Sequence, residues 1–114
     1  MDKVSQAVEN MRGPLSCSQS VLCAFCDDAK LTFDEAKEIG APYSGGRKIK
    51  CGAVCAAEIV LSAVDGNDSR HAEFEDKFRE NVGAINCREI RSKNLTPCIG
   101  CVETSAKILD EMIH

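Results

Sequence analysis

The sequence predicts an all-α protein, a compact bundle of about five helices when the short ones are included. Apolar residues recur at helical spacing in several segments, and two Ser/Thr-x-x-Gln/Glu motifs mark helix starts. No run alternates apolar and polar residues as a half-buried strand would. With 114 residues, the chain is expected to form one domain over residues 1–114.

The N-terminal helices are predicted from periodicity and capping. A weak apolar pattern covers residues 3–11 and is broken at Gly13. Ser16 and Gln19 form a capping box, which starts a helix that we expect to run to about Ala29.

A second capping box starts a short helix, and a glycine-containing segment follows it. Thr32 and Glu35 form the box, and the helix is expected to end at about Ile39. Residues 43–47 (Tyr-Ser-Gly-Gly-Arg) are expected to form a flexible connection. They fit neither a Walker motif nor GxGxxG, so a tight turn is favoured over a phosphate site.

The run Lys50–Val64 is nearly uncharged and is expected to form a buried central helix. On a helical wheel Cys51, Cys55 and Glu58 share one face. Burying these groups without partners is costly, so the other cysteines are expected to supply partners. Burial would raise the pKa of Glu58 and suit it to exchange a proton with a thiolate. The alternative is that Glu58 lies at the helix edge and meets solvent or an arginine.

Two further helical segments follow the central helix. Residues 69–82 place Phe74 and Phe78 four positions apart, with charged residues on the opposite face. His71, near the start of this helix, is interpreted as a surface residue and not as a ligand. Residues 86–90 are expected to form one short helical turn.

The last helix is predicted to start with Thr96 as N-cap and Pro97 as its first residue. Cys98 and Cys101 then lie on its apolar, core-facing side. The first turn of a helix carries the positive end of the macrodipole, which favours a thiolate there. Cys98 is therefore predicted to be the reactive thiolate, with Cys101 one turn away.

Eight cysteines in one small chain are more than hydrophobic packing alone explains. The N-terminus lacks a signal peptide's apolar segment, so we expect a cytoplasmic protein. In that compartment the count favours metal binding or thiol redox chemistry over a disulfide framework. A net charge of −4 without a basic block argues against nucleic acid, and no apolar run approaches the ~20 residues that cross a membrane. An unidentified redox partner and self-association into a homo-oligomer remain open.

Two CxxC pairs, Cys23 with Cys26 and Cys98 with Cys101, resemble the half-sites of a zinc ribbon. They are far apart in sequence and lie in predicted helices, which disfavours that interpretation. Neither pair is followed by histidine, which argues against covalent haem.

Several motifs occur in an order that is typical of one family. Residues 16–22 are like its N-terminal CAQAVL segment, residues 45–46 and 51–54 are like its GG…CGAV centre, and residues 86–89 and Cys98 follow. In this order the chain resembles the C_GCAxxG_C_C family of small redox-active proteins. Some members of that family are similar to part of the split-Soret cytochromes, and some carry selenocysteine in place of a thiol.

The resemblance covers about residues 15–110 and implies a redox role. It assigns the family's cysteines to four positions: Cys17, Cys51, Cys87 and Cys98. The chain departs from the pattern near residues 55–57, where the second glycine of the central motif is replaced. It also carries four additional cysteines: Cys23, Cys26, Cys55 and Cys101.

The preferred hypothesis is a redox protein that passes electrons through its thiols or through an iron–sulfur cluster held by them. The predicted redox residues are Cys98, Cys101, Cys51, Cys55 and Glu58. The predicted metal ligands are Cys17, Cys51, Cys87 and Cys98. One alternative is a module in which four thiolates hold zinc without redox chemistry. The other is an interaction domain whose cysteines serve only as packing.

Overall fold

A computed structural model describes residues 2–43 and 49–114, and this part of the chain contains helices and no β-strand, as predicted. Seven α-helices are present in it, where about five were expected, because segments as short as six residues form separate helices. They are α1 (Lys3–Arg12), α2 (Cys17–Ala24), α3 (Phe33–Gly40), α4 (Gly52–Asp65), α5 (His71–Val82), α6 (Cys87–Ser92) and α7 (Cys98–Ile113). The predicted connection over 43–47 lies outside the described residues except at Tyr43.

The two predicted capping boxes are confirmed, but α2 ends earlier than expected. The Ser16 hydroxyl accepts from the backbone of Gln19, whose side chain accepts from the backbone of Ser16 in return. The helix stops at Ala24 and not near Ala29, because Phe25 leaves the helical region at φ −108° and ψ 21°. Turns follow, and Lys30 has the left-handed φ of 61°.

Helix α4 is the buried centre of the bundle, as its apolar sequence predicts. It packs against α2, α5 and α7, while α1 covers α2 and α7. Its buried side chains join Phe25, Phe74 and Phe78 in the hydrophobic core. None of the described helices is both long and apolar enough to cross a lipid bilayer.

The chain enters α4 through a short extended pairing that the sequence did not predict. Lys50 forms an isolated antiparallel bridge with Asn86. The backbone N–H of Cys51 donates to Ile85 O at 2.7 Å, and that of Cys87 donates to Ile49 O at 3.2 Å. Because of this pairing α4 begins at Gly52, and the segments that carry Cys51 and Cys87 lie side by side.

Helix α7 begins one residue later than predicted. Pro97 is its N-cap, with an extended ψ of 156°, and Cys98 is its first helical residue. The rigid ring of Pro97 fits the extended N-cap as well as the first helical position, so sequence alone could not separate the two. Cys98 nevertheless lies in the first turn, as predicted.

Candidate functional site

The four cysteines that resemble the family pattern each lie at the start of a different helix. Cys17, Cys87 and Cys98 are the first residues of α2, α6 and α7, and Cys51 is the N-cap of α4. Helix starts expose unpaired N–H groups and favour negative charge. With Cys55 and Cys101 they form the cysteine cluster, six thiols that are linked by pairwise electrostatic interactions: Cys17, Cys51, Cys55, Cys87, Cys98 and Cys101.

A hydrogen bond in the cluster joins Cys51 to Cys101. Both side chains are buried, with exposures of 6% and 2%. A hydrogen bond from the Cys51 thiol lowers the pKa of Cys101, and the same bond raises the pKa of Cys51. Of the two, Cys101 is therefore the thiol that loses its proton more readily.

Cys98 lies on the surface, although the sequence placed it on the core-facing side of its helix. Three residues correspond to about 300° of helical rotation, so Cys98 is turned about 60° away from buried Cys101. The guanidinium of Arg91 hydrogen bonds to Cys98, and the proximity of Cys87 and Cys98 raises the pKa of Arg91. The CxxC pair of α7 thus has one accessible thiol and one enclosed thiol.

Cys17 packs against the start of α4 at a position where only glycine fits. A Cβ built on Gly52 would lie 2.6 Å from Cys17 Sγ and 2.9 Å from the carbonyl oxygen of Tyr43. Both distances are shorter than a non-bonded contact allows. The Cys-Gly sequence at residues 51–52 therefore lets α2 and α4 approach closely enough to bring Cys17 into the cluster.

Cys87 and Cys55 both lie next to the extended pairing. Cys87 is half-buried, and burial raises its pKa. Cys55 is buried, its Sγ lies 3.8 Å from Lys50 O, and burial together with the charge of Glu58 raises its pKa to about 11. Cys55 thus remains a thiol at neutral pH.

Glu58 is buried one turn beyond Cys55, with an exposure of 8%. Its carboxylate lies 3.1 Å from Lys50 Nζ, and Lys50 also contacts Glu75 at 2.6 Å. Burial and the hydrogen bond with Glu75 raise the pKa of Glu58 to about 7, whereas the same hydrogen bond lowers the pKa of Glu75. The expected rise in the pKa of Glu58 is confirmed, and the helix-edge alternative is wrong.

An open cavity of about 670 Å³ adjoins this carboxyl pair. Cys55, Glu58 and His71 are among its lining residues. His71 is partly exposed at the start of α5, as predicted, and its Nε2 lies 2.9 Å from Ser62 Oγ. The cavity gives solvent protons access to Glu58 beside a cluster thiol.

The raised pKa of Glu58 predicts a pH dependence of stability. Folded Glu58 keeps its proton up to about pH 7, whereas an unfolded glutamic acid loses it near pH 4.5. The free energy of unfolding should therefore fall by about 2 kcal/mol as pH rises from 5 to 8, and Glu58→Gln should remove most of this fall. The lowered pKa of Glu75 acts at lower pH and does not offset it in this window.

Urea unfolding of the reduced protein at pH 5 and pH 8 measures this effect. The control is Glu103→Gln, which changes an exposed carboxylate 3.7 Å from Lys107 on α7. An equal pH dependence in wild type and Glu58→Gln would contradict the assignment.

The remaining two cysteines form a separate pair beside α3. Cys23 is buried with its thiol 3.7 Å from Phe33 O, and burial raises its pKa to about 11. Cys26 is partly buried next to Asp27, and burial raises its pKa as well. Cys23 thus lies in the hydrophobic core, whereas Cys17 is only partly buried.

A preformed metal site is not visible in residues 2–43 and 49–114. No three Cys, His, Asp or Glu side chains there are arranged to hold a metal ion. The predicted ligand set, Cys17, Cys51, Cys87 and Cys98, therefore does not fit a metal in this arrangement and stays a prediction.

Sequence reasoning did not find three charged residues of the site: Lys50, Glu75 and Arg91. Arg91 lies four residues after Cys87 on α6, a spacing that places both on one helix face and could have indicated the contact. Lys50 precedes Cys51 directly, but its pairing with Glu75 depends on how α5 packs and leaves no local signal.

Comparisons with known proteins agree with the cysteine arrangement. A family model described as "Putative redox-active protein (C_GCAxxG_C_C)" matches residues 15–112. Neither the curated proteins nor the solved structures contain a match to this chain. The match spans residues 15–112 and includes all eight cysteines, so the protein belongs to the C_GCAxxG_C_C family.

Proposed function

We propose that this protein is a thiol–disulfide redox protein whose active pair is Cys98 and Cys101. The observation that carries the proposal is the asymmetry of the pair. Cys98 is exposed, and Cys101 is 2% exposed and hydrogen bonded to Cys51. An accessible thiol suits attack from outside, and an enclosed, stabilised thiolate suits the role of leaving group.

The chemistry is a reversible two-electron exchange. In the oxidised protein a partner's thiolate attacks Cys98 Sγ, the Cys98–Cys101 bond breaks, and Cys101 leaves as a thiolate. The partner's second thiol then attacks the mixed disulfide, which releases Cys98 and leaves the partner as a disulfide. The protein gains two electrons, and both protein thiols finally carry the protons that the partner's thiols release. The hydrogen bond from Cys51 favours the first step because a leaving thiol of lower pKa departs faster.

Cys55 and Glu58 have a supporting role in this proposal. Cys55 is electrostatically coupled to Cys51, and Glu58 has a pKa of about 7 beside it. A group with that pKa is suited to accept and return a proton at neutral pH. Glu58 thus serves as a proton acceptor for the cluster when its thiols change redox state.

Redox titration of the wild-type protein tests the proposal. The protein is equilibrated anaerobically with mixtures of reduced and oxidised dithiothreitol, trapped by alkylation and mapped by mass spectrometry. We expect one disulfide, Cys98–Cys101, to form reversibly before any other. Oxidation of Cys23 with Cys26 first, or no reversible disulfide at all, would contradict the proposal.

A metal centre is the second candidate function. Four cysteines at four helix starts favour it, since these positions stabilise anionic ligands. To bind zinc or an iron–sulfur cluster, the four cysteine sulfurs would have to move into positions that coordinate the metal tetrahedrally. Anaerobic purification followed by metal and acid-labile sulfide analysis tests this. Stoichiometric iron and sulfide, or zinc, would favour the centre, and metal-free protein with reversible thiols would favour the dithiol.

The same thiol–disulfide chemistry is the basis for proposing a redox partner and a cellular compartment. The exchange needs a second redox protein or a small thiol as electron donor or acceptor. Eight cysteines in a small chain without a disulfide framework fit a reducing compartment, which is why we propose the cytoplasm.

A further inference from the structure

We propose that the redox substrate is a small anionic thiol or disulfide, bound in a cleft beside Cys87 and Cys98 by Arg88 and Arg91. This inference rests on the proposed function and names the substrate class of the same site. An open cavity of about 1000 Å³ lies along α6, and Cys87, Arg88 and Arg91 line it. It is large enough for a molecule of a few tens of non-hydrogen atoms.

The charge of the cleft is opposite to that of the whole protein. The chain has a formal net charge of −4, yet the charged side chains that line the cleft are two arginines and one carboxylate, that of Glu89. Glu89 is already paired with Lys93 at 3.0 Å, whereas neither arginine forms an ion pair within the described part of the chain. Two guanidinium groups free of carboxylate partners are suited to bind a carboxylate, sulfonate or phosphate group.

The position of Arg91 connects the anion site with the reactive thiol. Arg91 hydrogen bonds to Cys98, so an anion held by Arg88 and Arg91 lies near that exposed sulfur. Ile49 is 79% exposed and lines the same cleft, where it offers apolar contact to the carbon chain of a ligand. The cleft thus combines a charged anchor and an apolar wall, and its Arg91 reaches the accessible thiol of Cys98.

The reaction with a disulfide substrate is the reverse of the exchange described above. Cys98 thiolate attacks one sulfur, the substrate's S–S bond breaks and one substrate thiolate leaves. Cys101 then attacks Cys98 Sγ and releases the second. The protein dithiol is oxidised to a disulfide, the substrate gains two electrons, and the two protons of the protein thiols pass to the two products.

Three symmetric disulfides of similar size test the charge preference. They are the dianion 3,3′-dithiodipropionate, neutral bis(2-hydroxyethyl) disulfide and the dication cystamine. The rate at which each oxidises the reduced full-length protein is followed by mass spectrometry at Cys98. We expect Arg88→Gln to lower the ratio of the anionic rate to the neutral rate about fivefold, and Arg88→Lys to restore most of it. Higher salt should lower the wild-type ratio.

Arg12→Gln is the matched control, because Arg12 is an exposed arginine on α1 that pairs with Glu9. It should leave the ratio unchanged. An unchanged ratio in Arg88→Gln, or faster oxidation by cystamine than by the dianion, would overturn the anion site while leaving the dithiol function intact. If no probe oxidises Cys98, the proposed function fails, and the substrate assignment fails with it.

Discussion

Replacing Cys98 by serine is expected to lower the rate of thiol–disulfide exchange with bis(2-hydroxyethyl) disulfide by at least about 100-fold. The hydrogen bond with Cys51 lowers the pKa of Cys101, but with 2% exposure Cys101 cannot be reached by a disulfide in solution. Replacing Cys101 by serine should have a different result. Cys98 should still react, and the mixed disulfide should accumulate because nothing resolves it.

The control for both variants is Cys23→Ser. Cys23 is buried like Cys101, but it contacts Phe33 O beside α3 and lies outside the cysteine cluster. Stopped-flow kinetics and intact-mass analysis measure the three variants side by side. Equal losses in Cys98→Ser and Cys23→Ser would contradict the assignment of roles to these cysteines.

Gly52→Ala is expected to destabilise the reduced protein by about 2 kcal/mol, although alanine usually favours a helix. Helix propensity alone would stabilise the variant by roughly 0.5–1 kcal/mol. The new methyl group would lie 2.6 Å from Cys17 Sγ and 2.9 Å from the backbone oxygen of Tyr43, and a backbone atom cannot move aside cheaply. The steric cost of overpacking is larger than the gain in propensity, so the net effect is destabilising.

Urea unfolding measures this effect, with Gly13→Ala as the control. A Cβ on Gly13 meets its nearest neighbour at an ordinary 3.6 Å, so that change should stay within about 0.5 kcal/mol. In a Cys17→Ala background, Gly52→Ala should cost less, because one of the two short contacts is removed. Equal stability of Gly52→Ala and Gly13→Ala would show that α2 and α4 do not approach as closely as the structure places them.

Local chemistry in the sequence was sufficient to predict most helix positions. The boxes at Ser16 and Thr32 satisfy backbone groups of their own helices, and each was found where it was predicted. The end of α2 was missed because no strong breaker stands between Ala24 and Ala29, and the departure at Phe25 is a property of the packed chain. The number of helices was underestimated because the weakly patterned segment over residues 3–11 and the short turn over residues 86–90 each form a separate helix.

The sequence by itself determined the fold class, the buried central helix and the family pattern of cysteines at Cys17, Cys51, Cys87 and Cys98. Periodicity, capping and spacing are local properties and can be read residue by residue. Only the tertiary structure decided which thiol is exposed and which has its pKa lowered. The hydrogen bond between Cys51 and Cys101 joins residues 50 positions apart, so it arises only when α4 packs against α7. The contacts of Arg91 with Cys98 and of Glu75 with Glu58 also depend on the tertiary structure. Charges interact through space, so the local sequence does not show which of them will lie close together.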